Sequence, residues 1–332
     1  MLMAANRTYT ITEESIDSIT GLWHDSANHL NWDCLFVLPG WLKVWWQAFG
    51  NGRTSYLCSI RHRGELIGIA PLMVEGETAR LMGDTDVCDF LDVIVVPGRE
   101  KVFFDILFDH LKEQGIRQLD LEAVRSDSIV GSYLKPALTD QHHAVTCQSV
   151  GASMVMELPT SWNVYLRQLT SKQRHEVRRK LRRLEEAGRV NWRLVDTVTG
   201  VKQEIETFLA LFKRNRADKA RFMTEQMASF FQALAVELAS IRILKLFFLS
   251  LDEVVTAAVM GFDYDDTFHL YNNGYDQRYH FLSVGLLSKL FTVKDSIQQG
   301  KKKYDFLKGT ETYKQRLGGR QVPLYHCGVQ LD

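Results

Sequence analysis

The chain has 332 residues, 45% of them hydrophobic and 24% charged, which excludes a disordered protein and suits about two domains. Lysine and arginine together number 40, and aspartate and glutamate together also number 40. This balance excludes a surface that binds nucleic acid over its whole extent, although it leaves room for a local basic patch.

The N-terminal half combines hairpins with a strand–helix–strand unit. Arg63-Gly64 lies between two strand-like segments and predicts a β-hairpin turn. Strands and helices mixed in this order indicate an α/β or α+β fold, with a mixed, mostly antiparallel sheet flanked by helices. Helices are predicted to begin near Thr12 and Trp41 and to span 101–114, and strands are predicted at 55–61, 66–74, 78–82, 91–96 and 118–121.

Three predicted helices and a second hairpin occupy the other half. This hairpin, 243–250 with 254–262, repeats the pattern of the earlier one, which indicates a duplicated domain. Gly151 lies among small residues that interrupt the pattern, so we expect domains at 1–150 and 151–332. The predicted helices fall near 161–187, 202–216 and 224–239.

The cysteines and the apolar segments of the sequence indicate in which cellular compartment the protein is expected. The cysteines are scattered without a CxxC pair, so neither a disulfide framework nor a zinc site is expected. The first residues lack the apolar core of a signal peptide, and no run reaches the roughly 18 apolar residues of a membrane span. These features predict a cytoplasmic protein. The cysteines are Cys34, Cys58, Cys88, Cys147 and Cys327.

A strongly basic helix follows the predicted domain boundary. Thr170 and Gln173 have the form of a capping box, and seven of the twelve residues 172–183 are basic. Two interpretations stay open: a solvated helix with its apolar stripe on the core, or a patch for phosphate, an acidic substrate or RNA. Arg174 and Arg178 share the face that would bind such an anion.

A helix start near residue 283 forms the candidate cofactor loop. The N-terminus of a helix has unpaired N–H groups and a partial positive charge, so it binds phosphate without a glycine-rich fingerprint. Ser283 could cap this helix, predicted over 286–298, and Gly285 would let another group approach closely. Asp305 lies among the apolar residues of the returning strand 303–307, where a carboxylate needs a partner or a function.

Three short motifs stand together in this half: Tyr271…Gly274-Tyr-Asp276, Leu282-Ser-Val-Gly285-Leu-Leu, and Tyr304-Asp305-Phe-Leu…Gly309-Thr-Glu311…Tyr313-Lys314. Together they resemble the acetyltransferase domain of the CelD type, named for a cellulose-biosynthesis protein. That group belongs to the GNAT superfamily and is close to the Fem peptidyltransferases, which have two GNAT-like domains in tandem. The resemblance covers about 170–318 and implies two tandem GNAT-like domains, the N-terminal one degenerate.

The resemblance implies an acyl-CoA-dependent N-acyltransferase that uses acetyl-CoA or another acyl-CoA and no metal. An amine of a small molecule, a sugar or a peptide would attack the thioester directly. The pantetheine would lie between the strands at 267–273 and 303–308. The residues expected to hold the cofactor are Ser283, Val284, Gly285 and Leu286, the last three through their backbone N–H groups.

Attack of an amine on a thioester needs a deprotonated amine, a stabilised carbonyl oxygen and a proton for the thiolate. Asp305 could orient or deprotonate the amine, and Tyr271 or Tyr313 could donate the proton. A structural role stays open for each, as a hydrogen-bond acceptor or as a packed ring. The residues expected to bind the acceptor are Arg174, Arg178, Asp276, Lys308, Lys314 and Arg316.

Two other functions stay open. A Fem-like transfer of an aminoacyl group from charged tRNA would use the basic helix. A catalytically silent binding module in an envelope or polysaccharide pathway would agree with the small number of glycines in the phosphate loop. Stabilisation by CoA would favour acyl transfer, and strongly salt-sensitive tRNA binding would favour the Fem-like reaction.

Other polar clusters are weaker candidates. Four aspartates suggest a metal site, but no histidine or glutamate completes a set of hard ligands, and an amine-binding surface is the other interpretation. The pair His142-His143 has no second ligand pair at a useful spacing. The aspartates are Asp84, Asp86, Asp89 and Asp92.

Overall fold

The computed structural model describes residues 8–137 and 145–331. Within them the chain forms two compact units, and we call them the first and the second unit. The second unit is Ser153–Gln321, and the first comprises the described residues up to Ala152 together with the C-terminal segment from Val322 onward. The predicted division at residue 150 had assigned that C-terminal segment to the second domain.

Thirteen strands and eleven α-helices are present in the described ranges. The strands are β1 (Tyr9–Glu13), β2 (Thr54–His62), β3 (Glu65–Glu75), β4 (Thr78–Leu81), β5 (Ile94–Val95), β6 (Gln118–Arg125), β7 (Val145–Glu157), β8 (Val190–Val195), β9 (Leu244–Leu251), β10 (Val254–Tyr264), β11 (Thr267–Tyr275), β12 (Lys303–Lys308) and β13 (Arg320–Gln330). The helices are α1 (Ile16–His24), α2 (Pro39–Phe49), α3 (Glu100–Glu113), α4 (Ile129–Ala137), α5 (Trp162–Gln168), α6 (Ser171–Glu186), α7 (Val198–Asn215), α8 (Ala217–Phe222), α9 (Glu225–Ser240), α10 (Val284–Gln298) and α11 (Thr312–Arg316).

In the first unit the strand order is β1-β2-β3-β4-β6-β13, with β5 beside β3. The pairs are antiparallel except for β4 with β6, which is parallel. The β2–β3 hairpin turns through Arg63 and Gly64, both with positive φ, as the sequence predicted. Strand β13 pairs with β6 from Leu324 to Gln330, and this ladder is why the C-terminal segment belongs to the first unit.

In the second unit the order is β7-β12-β11-β10-β9-β8, and β11 with β12 is its parallel pair. The neighbouring pairs are antiparallel, so the predicted mixed, mostly antiparallel sheet is confirmed. Helix α10 packs through Leu287, Leu290 and Val293 into a core that includes Phe268 and Tyr304 from the sheet. The sheet of this unit therefore holds the start of α10 close to the ends of β11 and β12.

Most local predictions agree with the structure in the type of element, and several boundaries differ, among them the start of α7 at Val198 and the end of β6 at Arg125. The basic segment is two helices, α5 and α6, because Thr170 begins α6 with the predicted Thr170–Gln173 capping box. Helix α1 is capped by Ser15, since Thr12 belongs to β1. The strand predicted over 91–96 is reduced to Ile94–Val95.

A disulfide that the sequence analysis did not expect joins Cys147 of β7 to Cys327 of β13, inside the first unit. The two residues are 180 positions apart, so no spacing in the sequence reveals the pair. The other three cysteines are buried thiols, and burial raises the pKa of Cys58 to about 12. None of the helices in the described ranges combines the length and the apolar character needed to cross a membrane.

Candidate active site

The parallel strands β11 and β12 of the second unit pair over a short distance and then part. Three residues of each strand are paired, Thr267–His269 with Lys303–Asp305. Beyond them the end of β11, Tyr271–Tyr275, has no further register with β12. Strand β12 stays paired with β7, from Lys303 to Lys308, which faces Ser153. We call the gap between the two strand ends the splay. It lies where the sequence analysis predicted the pantetheine.

Irregularities in both strands open the splay. Along β10, Met260 faces Asn272 and Gly261 faces Leu270, so Tyr271 is an extra residue that bulges from β11. A bulge bends a strand and increases its local twist, which moves the end of β11 away from its neighbour. In β12, Leu307 has a φ of 59°, and the register with β7 shifts there. Both departures follow directly after the last paired residues.

The turn that begins α10 stands beside the splay. Ser283 has a left-handed backbone, with a φ of 60°, between a 3-10 helix over Gln277–Leu282 and the right-handed α10. Successive residues of opposite hand point their N–H groups toward a common point and create an anion-binding concavity. The N–H groups of Val284 and Gly285 are the first two of the helix, where no earlier helical carbonyl can accept them.

Two predictions about this turn need correction. The Ser283 side chain does not cap the helix, and its Oγ instead accepts a hydrogen bond of 2.6 Å from Nζ of Lys180. The N–H of Leu286 donates to the carbonyl of Ser283 over 2.9 Å, so it is not available to a phosphate. The carbonyl of Ser283 accepts the N–H groups of both Leu286 and Leu287, as the carbonyl of the residue before a helix commonly does.

Lys180 is a functional candidate that the sequence analysis did not single out. It extends from α6 to the turn, and its ammonium also lies 3.3 Å from Glu176. Only about a fifth of its side chain is exposed, at 19%. The basic run therefore supplies a cation to the helix start, although neither Arg174 nor Arg178 does so. Arg174 reaches the carbonyl of Leu166 at 3.4 Å, and Arg178 is exposed.

Gly285 is required by packing against an aromatic ring. A Cβ at this position would lie 2.5 Å from the ring of Tyr275, far inside van der Waals contact. Gly274 has the same function on the other side of β11, where a Cβ would lie 2.4 Å from the backbone of Phe212 in α7. The end of β11 is thus held tightly between α7 and α10, which fixes one wall of the splay.

Asp305 is buried and stabilises the irregular end of β12. Its Oδ1 accepts a hydrogen bond of 2.7 Å from the N–H of Leu307, the residue with the left-handed backbone. Its Oδ2 lies 4.0 Å from Nδ1 of His269, and both side chains are almost fully buried. This geometry supports the structural alternative for Asp305, since the carboxylate holds the turn that opens the splay.

The two tyrosines proposed as proton donors lie in different surroundings. The ring of Tyr271 stacks on Phe231 of α9 and contacts Phe262, with centroid distances of 5.7 and 5.1 Å. Tyr313 instead lies near α10, where Nζ of Lys289 is 4.8 Å from its ring centroid. Burial raises the pKa of the Tyr313 phenol, which therefore stays protonated near neutral pH. Of the two, Tyr313 is the better placed beside cationic groups.

Lys314 is buried, which differs from its expected place at an acceptor-binding surface. It is 2% exposed, and its Nζ donates to the carbonyls of Leu307 and Lys308 over 3.3 and 2.5 Å. It also pairs with Glu311 at 3.1 Å. Lys314 therefore ties α11 to the end of β12. Lys308 and Arg316 are exposed.

Asp276 is engaged in a local ion pair. Its carboxylate accepts from Nη2 of Arg278 at 2.6 Å and from the backbone N–H of the same residue at 2.9 Å. The Arg278 guanidinium lowers the pKa of this carboxyl group. The pair fixes the 3-10 turn before Ser283, so Asp276 supports the turn rather than facing open solvent.

Two further lysines near the splay were missed by the sequence analysis. Lys289 of α10 is 7% exposed, donates to the carbonyl of Gly285 over 2.7 Å, and has its pKa lowered by burial to about 7. Lys219 of α8 donates to the carbonyl of Asn273 over 2.5 Å, and burial lowers its pKa to about 8. One signal was present in the sequence: Lys289 falls on the apolar face of a helix.

The acidic residues of the first unit mostly hold structure. Asp84 accepts from the indole of Trp45 at 2.9 Å, and Asp92 accepts the first N–H groups of α4, Ile129 and Val130, at 2.8 and 2.9 Å. Burial raises the pKa of Asp92 to about 7.

A different group of residues has ligand atoms close enough together to hold a metal ion. Asp120, Glu122 and His326 of the first unit have potential ligand atoms within 4.8 Å of one another, and Asp120 also pairs with Arg80 at 3.0 Å. This set was not foreseen, since His326 lies about 200 residues beyond the two acids and reaches them only through the pairing of β13 with β6. His142 and His143 lie outside the described residues.

Comparisons with known proteins agree with this geometry. Residues 171–315 match the model of an acetyltransferase (GNAT) domain. The second unit contains a GNAT acetyltransferase domain. This makes the chain an acyltransferase by its domain type, whereas the finer CelD-type assignment stays a prediction. A search of curated proteins finds no match.

Solved structures of low sequence identity share the fold over most of the chain. The structure of FemX aligns with a TM-score of 0.63 and 11% identity, over 96% of each chain. A tandem GNAT protein from the clavulanic acid biosynthesis pathway aligns at 0.50 and 9%, over 98% of this chain and 99% of that one. The C-terminal domain of a putative lysylphosphatidylglycerol synthetase from Agrobacterium fabrum gives 0.54 and 11%, over 80% of each. The predicted tandem GNAT-like fold is confirmed.

Proposed function

We propose that the GNAT domain transfers an acyl group, acetyl in the first instance, from an acyl-CoA to an amine of a small molecule, sugar or peptide. The observation that carries this proposal is the splay between β11 and β12, with the start of α10 beside it. An extended thioester arm needs a slot between strands, and its phosphates need N–H donors and a cation close to that slot. The second unit offers all three together.

The donor phosphates would bind the turn at Ser283. The N–H groups of Val284 and Gly285 converge there, and Lys180 adds a charged donor that already contacts Ser283. The positive end of the α10 dipole acts in the same direction. This revised set replaces Leu286 with Lys180, because the Leu286 N–H is used within the helix.

The chemistry at the splay is a direct displacement. The amine nitrogen bonds to the thioester carbon, the carbon–sulfur bond breaks, and the amine loses one proton while the departing sulfur gains one. Tyr313 would donate the proton to sulfur, since its phenol is kept protonated by burial. Asp305 would act as a positioning residue, because its carboxylate holds Leu307 and hence the shape of the splay.

A second candidate function is transfer of an aminoacyl group from charged tRNA. It is favoured by the exposed basic side chains of α6, among them Arg178 and Arg183, which no ion pair within the described residues neutralises. The shared fold with FemX is compatible with it but shows only the fold. Binding of this kind would weaken steeply with salt.

The deciding experiment is the stability of the protein with and without acetyl-CoA. A ligand that binds only the folded state at about 100 times its Kd stabilises it by about 2.7 kcal/mol. We expect such a rise in the wild type and a smaller rise in Lys180→Met. Lys172→Met, an exposed change on the same helix, is the matched control and should behave as wild type.

Absence of stabilisation by acetyl-CoA and by longer acyl-CoAs would overturn the proposal. Charged-tRNA binding would then be measured across a salt series, and Arg178→Gln with Arg183→Gln should weaken it and reduce its salt dependence. If neither ligand binds, the remaining reading is a binding module without catalysis.

A further inference from the structure

Three lysines from three separate helices converge behind the splay. Each ammonium is held by a backbone carbonyl of the elements that border the gap: Asn273 of β11, Gly285 of α10, and Leu307 with Lys308 of β12. Nζ of Lys289 lies 4.8 Å from the ring centroid of Tyr313, the residue before Lys314, and the charges of Lys219 and Lys314 both act on Lys289. The lysines are Lys219, Lys289 and Lys314.

The charge in this neighbourhood is not balanced. Among the described residues that act on Lys289, Glu311 is the acid, and it is already paired with Lys314 at 3.1 Å. The charges of Arg216 and Asp218 also act on Lys219, but those two side chains form an ion pair with each other at 2.9 Å. Three lysines therefore face one carboxylate, and two of them are almost fully buried. Keeping all three charged there is costly without a further anion.

We propose that Lys219 and Lys289 bind a compact anion, a carboxylate or a phosphate, that is carried by the amine acceptor, and that Lys314, whose own donors are used, adds positive charge nearby. An ammonium group has three N–H donors, and the observed carbonyl contacts of Lys219 and Lys289 use one each. The remaining donors can form short charge-assisted bonds to an anion. The acceptor would then enter the splay with its acidic group on the lysines and its amine toward the thioester.

The turn of α10 separates this site from the donor phosphates. The N–H groups of Val284 and Gly285 point out of the start of the helix, whereas Lys289 is bonded to the carbonyl of Gly285, on the opposite side of the same peptide chain. The phosphate donors and the lysines thus serve two different groups. The assignment to the acceptor rests on the proposed acyl-CoA function, whereas the existence of an anion site does not.

Anion binding should be coupled to proton uptake. Burial, together with the charges of Lys219 and Lys314, lowers the pKa of Lys289 to about 7, and Glu311 opposes this. A bound anion favours the charged form and raises that pKa, so near pH ~8 the protein should take up a proton as the anion binds. Affinity should fall as the pH rises from ~6 to ~9.

The test is calorimetric titration with inorganic phosphate, and separately with acetate, in two buffers of different ionisation enthalpy. We expect saturable binding with proton uptake. Lys289→Met should weaken binding about tenfold or more and remove the uptake. Lys294→Met, a partly exposed lysine on the same helix, should keep both. Lys219→Met provides a second test at a less buried position, in case Lys289→Met alters folding.

The anion site would be overturned if neither phosphate nor acetate binds, or if both bind wild type and Lys289→Met equally. Repeating the phosphate titration with saturating CoA shows whether the lysines bind the acidic group of the acceptor or the phosphates of the CoA donor. Unchanged affinity supports the acceptor, and competition by CoA overturns the assignment to the acceptor. Failure of acetyl-CoA to stabilise the protein would count against the proposed function alone, because phosphate binding is measured without a donor.

Discussion

Helices α3 and α10 occupy comparable places in their own units, yet different charged side chains lie at their starts. Each lies between two strands that pair in parallel over three residues, β4 with β6 and β11 with β12. Helix α3 begins with Glu100, whose carboxylate accepts the N–H of Gly98 at 3.0 Å. Helix α10 begins at Ser283, which receives Lys180.

This difference teaches that the fold alone does not create a phosphate site. A helix N-terminus attracts anions, and Glu100 places a carboxylate at the start of α3, between Arg99 and Lys101. The first unit therefore retains the supersecondary arrangement with a different helix start, and its expected degeneracy stays a prediction. The second unit leaves the helix start open and adds a lysine.

The largest expected effect concerns the stability of the first unit. Reducing the Cys147–Cys327 disulfide should lower its free energy of unfolding by about 2–4 kcal/mol, since a long closed loop is released in the unfolded chain. Urea unfolding with and without reductant measures this. The double variant Cys147→Ser, Cys327→Ser should be insensitive to reductant. Loss of acetyl-CoA affinity on reduction would contradict the assignment of donor binding to the second unit alone.

A carboxylate at the start of α10, like the one at the start of α3, should weaken the binding of acetyl-CoA. Ser283→Glu places a carboxylate at the start of α10, as in α3, and neutralises Lys180. We expect acetyl-CoA affinity to fall about 100-fold, or roughly 2.8 kcal/mol, by calorimetry. Ser283→Gln controls for size, and Glu100→Ser in the first unit should leave affinity unchanged. A similar loss with glutamine would indicate crowding rather than charge.

Local features of the chain could be predicted from the sequence, whereas contacts between distant residues could not. The Thr170–Gln173 capping box and the Arg63-Gly64 turn depend on neighbours in the chain, and both were predicted. The contact from Lys180 to Ser283 spans 103 residues and exists only because α6 packs beside α10. The N–H of Leu286 is used by the Ser283 carbonyl, and a serine gives no signal of the left-handed backbone that the structure has at that position.

The buried ionisable groups predict opposite pH dependences for the two units. In the first unit, burial raises the pKa of Asp92 from 3.8 to about 7, so the folded state binds more protons than the unfolded state between those values. Its stability should fall as pH rises through that window. In the second unit, Lys289 has its pKa lowered from 10.5 to about 7, so stability should rise with pH above 7.

Hydrogen exchange resolved by unit, corrected for intrinsic rates, measures both trends. The change should be at most about 2.7 kcal/mol for each unit over two pH units, since one pH unit of a full proton difference corresponds to about 1.36 kcal/mol. Asp92→Asn should flatten the curve of the first unit only, and Lys289→Met that of the second only. The same slope in wild type and variant would show that these groups do not titrate as their burial implies.

The smallest expected effect tests whether Asp305 is a base or a support for the splay. Asp305→Asn keeps an oxygen that can accept the Leu307 N–H but removes the charge, so stability should fall by about 1 kcal/mol. If the carboxylate acts only by holding the turn at Leu307, kcat should fall less than about tenfold and the pH profile should keep its shape. A loss of about 100-fold with the acidic limb of that profile removed would instead make Asp305 the proton acceptor, since a general base is inactive once it is protonated. The geometry favours the first outcome, because the carboxylate is 2% exposed and lies between the Leu307 N–H and His269.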